Sequence, residues 1–176
     1  MTMFTYKTPA YRGSTKKIEI HNEQNELVGY IERFYSNFFQ KSLDFIFNST
    51  FAINVHSYDA NNSMVNKIKE EISINTLIKS RWTGTSNNFG NYIVEDKTKF
   101  KTNPRIEVTR SNGEKLLIKK DFADRRVIIT GSSGEEVALI TSNRLIPPRE
   151  ISIKLFSNEI PALETAALHL LFDIRD

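Results

Sequence analysis

The segment Pro161–Ile174, PALETAALHLLFDI, constrains this chain more than any other, because it reads as a helix with almost no polar side. Ala162, Leu163, Ala166, Ala167, Leu168, Leu170, Leu171 and Phe172 cover most of its circumference. A helix that is apolar nearly all round needs burial on every side. It is shorter than the run of about 20 apolar residues that crosses a bilayer. The rest of the chain must therefore enclose it. Asn158 is the expected N-cap, and Pro161 falls where a first helical turn tolerates proline.

What surrounds the helix reads as strands. Short alternating segments recur in pairs across polar turns: Lys17–His21 with Leu27–Ile31, Phe51–His56 with Met64–Ile68, Arg105–Thr109 with Lys115–Lys119, and Arg126–Thr130 with Glu136–Ile140. Asn112-Gly113 and Ser133-Gly134 supply the residues that tight hairpin turns require. Leu43–Phe47, Ile72–Ile78, Tyr92–Val94 and Glu150–Leu155 are further strand candidates, whereas Arg81–Thr85 reads as irregular. The total is on the order of ten to twelve strands. Alternation gives each strand one apolar face, as in Ile106/Val108 against Glu107/Thr109. A barrel of roughly eight strands fills itself with side chains, and a wider one needs a filler. The apolar helix, placed over 159–174, supplies it. The expected fold is a closed antiparallel β-barrel of about twelve strands wrapped around a central hydrophobic C-terminal helix. It is one domain over 1–176, with 1–14 loosely ordered.

Composition narrows the chemistry. The 176 residues include no cysteine, which removes disulfides and thiolate metal sites and fits a reducing, cytoplasmic compartment. The N-terminal stretch has no apolar core of a secretory signal. The net charge of +3 is mildly basic.

Three segments carry a family resemblance: the hairpins Val55–Lys69 and Ile106–Ile118, and the 161–174 helix. Together they resemble the tubby C-terminal-domain superfamily, which includes LURP-one-related proteins, phospholipid scramblases and small bacterial relatives. The resemblance implies the barrel around a helix. It also implies binding of phosphoinositide headgroups through Lys and Arg on strands.

No arrangement of residues supports catalysis. The histidines His21, His56 and His169 form no zinc spacing, and neither a nucleophile elbow nor a phosphate-cradling glycine loop is present. Thr165, His169 and Asp173 share one helical stripe, expected to fix the rotation of the helix through bonds to the wall. Asp59, Asn61, Ser63 and Glu70 fall at positions 1, 3, 5 and 12 of a calcium-loop pattern. Met64 stands where that loop needs glycine, so the expected structure is an Asx-type turn and no metal. Neither a cofactor nor a catalytic residue is assigned. The aromatics of Phe34–Phe39 and Phe45–Phe51 are expected to fill the barrel, and no nucleic acid is expected.

Basic residues give the remaining candidates. An i, i+2 spacing places two cations on one strand face. Lys79 with Arg81, and the triplet Lys97, Lys99 and Lys101, are the analogues of a headgroup site, although Glu70, Glu71, Glu95 and Asp96 lie near them. The expected function is therefore non-enzymatic binding or scaffolding, with an anionic phospholipid headgroup or another phosphorylated ligand as partner. The expected location is cytoplasmic and peripheral at the inner membrane surface. A protein-interaction module without a small ligand is the alternative. Scramblase-like activity is disfavoured, since there is no cysteine to acylate and the apolar end is assigned to the core.

Overall fold

A computed structural model describes residues 1–46, 52–72, 79–100, 102–121 and 123–175, and in it twelve antiparallel strands close into a barrel. The first six are β1 (Thr2–Lys7), β2 (Ile18–Asn22), β3 (Leu27–Phe34), β4 (Asn54–Asp59), β5 (Met64–Glu70) and β6 (Arg81–Ser86). The others are β7 (Gly90–Asp96), β8 (Arg105–Arg110), β9 (Lys115–Lys119), β10 (Arg126–Thr130), β11 (Glu136–Ser142) and β12 (Glu150–Leu155). Each pairs with its neighbours in sequence, and β1 seals the seam by pairing with both β2 and β12. Closure leaves no unpaired sheet edge among the described strands.

Alternation sends one side chain in two to the interior. Ile106 and Val108 of β8, Leu116 and Ile118 of β9, and Ile151 and Ile153 of β12 are all buried. They meet helix α2 (Ala162–Arg175), which packs most closely on β3, β4, β5 and β12. Ala166, Ala167, Leu168 and Leu171 are fully enclosed. Gly29 on β3 permits the close approach: a methyl group there would lie 2.2 Å from the Tyr58 carbonyl oxygen and 2.9 Å from Leu163 Cδ2.

Polar bonds fix the rotation of α2. The Tyr6 hydroxyl and His169 Nδ1 are 2.6 Å apart, Arg149 pairs with Asp173, and Ser57 Oγ donates to the Leu163 carbonyl at 3.2 Å. The helix also buries Glu164, which accepts from Ser86 Oγ and Asn88 Nδ2, each at 2.7 Å. Its first-turn position suits a carboxylate.

Burial pushes the His169 imidazole down to about 4; Asp173 opposes this, while Arg149 and Lys120 reinforce it. In the unfolded chain the same group titrates near 6.5. Between those values the unfolded state binds the extra proton, so stability falls as pH drops through this window and levels off below it. At ~1.4 kcal/mol per unit the loss is about 3 kcal/mol. Urea unfolding from pH 7.5 to 4 should show this slope, and His169→Gln should flatten it.

The structure corrects five expectations. Thr2–Lys7 is not loose: Phe4 and Tyr6 turn inward and the strand closes the barrel. Arg81–Ser86 is a regular strand, with Trp82 fully buried and its Nε1 donating to the Ile53 carbonyl at 2.9 Å. The apolar alternation is interrupted at Gly84 because the Tyr92 ring occupies that inward space; a Cβ there would lie 2.1 Å from Tyr92 Cζ. Asn158 does not cap α2, because the helix starts later and its first bond runs from Thr165 N to the Pro161 carbonyl at 3.0 Å.

The fourth concerns Leu43–Phe47, which lies largely in helix α1 (Phe38–Ile46) rather than in a strand. Asn37 Oδ1 accepts from Gln40 N and Gln40 Oε1 accepts from Ser36 N, both at 2.8 Å, a close variant of a capping box. The aromatics Phe38, Phe39 and Phe45 point outward and do not fill the barrel. The strand expected over Ile72–Ile78 falls mostly on residues outside those described.

Candidate anion-binding surface

The two ends of the barrel differ. Tight hairpin turns occupy the end where α2 begins. The other end holds the longer connections and the C-terminus of α2, where Arg175 pairs with Asp96 at 3.2 Å. This loop end collects the basic candidates.

Lys79 precedes β6 and Lys97 follows β7, and the bond from Asp96 N to the Ser80 carbonyl at 3.0 Å brings the two segments side by side. Lys97 N in turn donates to the Arg105 carbonyl at 2.9 Å. The hairpin register thereby adds a residue that spacing along the chain did not reveal. Lys97, Lys99, Phe100, Asn103 and Arg105 line a cleft of about 340 Å³. The signal for Arg105 was present as strand pairing, since β7 and β8 set Asp96 opposite Ile106.

The cations differ in how free they are. Arg81 faces Glu95 across the β6–β7 pair and lies 3.7 Å from Glu71. Lys97 Nζ donates to Glu95 at 2.8 Å and lies 3.8 Å from Glu107, which Lys115 also meets at 3.2 Å. The Lys97 hydrogen bond lowers the Glu95 carboxyl below its ordinary value, and the same bond raises the Lys97 ammonium. By contrast, Lys79, Lys99 and Arg105 have no carboxylate partner among the described residues. Lys101 lies outside those residues.

The calcium-loop pattern forms a turn. Asp59 Oδ1 accepts from Ser63 N at 2.8 Å, and Asn62 takes a φ of 64° at its apex. Glu70 sits at the far end of β5, on the order of 20 Å along the strand from that turn, and cannot share an ion with Asp59. It accepts from Ile53 N at 2.6 Å, and burial raises its carboxyl above the ordinary range. Among the described residues no cluster of three metal-ligating side chains occurs.

A second hollow, of about 690 Å³, runs along β1, β2 and β12 and was not anticipated. Lys7 is paired with Glu150 there at 3.0 Å, and His21 lies 3.6 Å from Glu19. Lys16 and Lys17 on the same wall have no carboxylate partner among the described residues, Lys17 donating instead to Asn62 Oδ1, so this hollow is basic as well.

A closed twelve-stranded barrel threaded by its own C-terminal helix is the class of fold that these strands and α2 define. The family model described as Tubby C-terminal like domain matches residues 4–174, and the chain belongs to that family. Its fold is also similar to a crystal structure of a protein from Arabidopsis thaliana. That likeness has a TM-score of 0.53 at 11% identity and covers 99% of this chain and 90% of that one. No curated protein matches the sequence.

Proposed function

We propose that this domain binds an anionic phosphate ligand, with a phospholipid headgroup as the favoured form, at its loop end. The observation that carries the reading is the 340 Å³ cleft in which Lys99 and Arg105 stand without carboxylate partners among the described residues, with Lys79 on the segment that pairs alongside. Arg105 can grip a phosphate with two parallel bonds, and the two lysines add point charges. Arg81 and Lys97 contribute less, because Glu71, Glu95 and Glu107 already hold them. On this reading the protein acts without catalysis, in the cytoplasm and peripherally at the inner membrane surface. The matched charges around Lys97 favour the alternative, a protein-interaction module, over the same strands.

Titration with a soluble inositol polyphosphate tests the proposal. Binding should weaken with salt. The Lys99→Glu/Arg105→Glu double variant should bind roughly thirtyfold more weakly or worse, at about 1 kcal/mol or more for each of the two cations. Binding that ignores salt, or that survives the double variant, would sink the reading.

A further inference from the structure

Helix α1 is built inside out. Its inward face is polar, with Gln40 and Asp44 buried, and its outward face carries Phe38 at 83 %, Phe39 at 67 %, Phe45 at 79 % and Ile46 at 68 % exposure. Strong anchors hold this orientation. Asp44 Oδ1 lies 2.5 Å from Arg33 Nη2, and Tyr35 OH donates to Asp44 Oδ2 at 2.6 Å. Rolling the helix over would expose the buried pair and pull Gln40 from its bond to Ser36. The apolar face is therefore fixed outward by the core beneath it.

The neighbouring connections continue this surface. Arg33 donates to the Arg12 carbonyl at 3.2 Å, and a small cleft joins Arg12 and Arg33 to Pro147 and Ile174. Next to Pro147, Leu145 and Ile146 stand 56 % and 75 % exposed, and Phe100 of the basic cleft is 70 % exposed. Cations are interleaved with them. Lys41, Lys99, Arg105 and Arg144 have no carboxylate partner among the described residues, whereas Asp44, Asp96 and Asp173 are taken by Arg33, Arg175 and Arg149.

We infer that the loop end docks on an anionic lipid bilayer, with the outward face of α1 inserted among the headgroups while the surrounding lysines and arginines meet lipid phosphates. This deepens the headgroup reading and rests on it. Protruding phenylalanines suit a deformable interface that accepts apolar side chains to a depth of roughly 5–10 Å. A second copy of the chain is a poor occupant, since it would bring the same cations face to face.

Flotation with phosphatidylcholine vesicles, with and without phosphatidylserine, tests the inference on the full chain. The triple variant Phe38→Ser/Phe39→Ser/Phe45→Ser changes only exposed positions and should keep its melting temperature and its affinity for soluble inositol polyphosphate. It should lose about tenfold or more in affinity for anionic vesicles. A Phe39→Trp reporter should shift its emission to the blue on anionic vesicles, against a Trp82 background that is already buried. Vesicle binding that survives the triple variant, or an unmoved Trp reporter, overturns the insertion while soluble-phosphate binding keeps the headgroup reading intact. Loss of both vesicle and phosphate binding in the unaltered chain overturns both. Self-association abolished by the triple variant, with no vesicle binding, assigns the face to a second copy instead.

Discussion

Leu171→Asp should abolish the folded domain. Leu171 has no solvent exposure and lies between Leu170 and Phe172, both nearly buried, in the helix that the barrel encloses. Removing the leucine side chain from such a site costs about 2–5 kcal/mol. Burying an unpaired carboxylate adds several kcal/mol more, or forces water into the barrel. The sum approaches the ~5–15 kcal/mol that holds a typical domain together. Leu168→Asp should behave alike, because Leu168 is equally enclosed. A control, Thr83→Asp on the exposed face of β6, should fold normally. Far-ultraviolet circular dichroism and thermal melts separate these outcomes. Deleting the chain from Pro161 onward gives the sharper form of the experiment. A barrel that still melted cooperatively without its helix would show that the helix is an accessory and not the core.

The same helix explains why so much of the architecture could be read from the residues. An apolar circumference over 161–174 has few possible homes, and the turns at Gly113 and Gly134 do take positive φ values, 87° and 89°. Strong periodic signals of this kind survive folding because burial enforces them. The failures have a common physical origin. At Gly84 and in α1, the partner that completes the pattern comes from elsewhere in the chain. The Tyr92 ring fills the space inside Gly84, and Arg33 supplies the charge that lets Asp44 face inward. Periodicity cannot report a partner that is distant in sequence. The Asn37-x-x-Gln40 spacing was nevertheless a local sign of a helix start. The basic site follows the same rule. Lys79, Arg81, Lys97 and Lys99 were visible as cations, but which of them are matched by Glu71, Glu95 and Glu107 depends on the pairing of β5 to β8. Arg105 enters the cleft through that pairing alone.

Asp44→Ala should cost about 3–5 kcal/mol, the usual penalty for removing one partner of a buried ion pair. Asp44 and Arg33 are each 1 % exposed and 2.5 Å apart, so the guanidinium cannot replace its lost carboxylate with free water. Tyr35 loses an acceptor as well. Burial and the hydrogen bond to Asp44 hold its hydroxyl well above the ordinary tyrosine range, so it is a neutral donor throughout the physiological range. For a chain of this size the melting temperature should fall by roughly 10 °C. Because the pair pins α1 to β3, the variant should also release the helix before the barrel melts, seen as faster amide exchange over 38–46 than over β8. The double variant Arg33→Met/Asp44→Leu removes both charges and should recover much of the loss, since an apolar pair of similar volume often replaces a buried ion pair without penalty. Asp44→Ala within about 1 kcal/mol of the unaltered protein would mean that the pair does not anchor α1. The outward phenylalanine face would then need another cause. If the double variant instead stays stable but loses anionic vesicles, the pair serves to aim that face rather than to hold the barrel together.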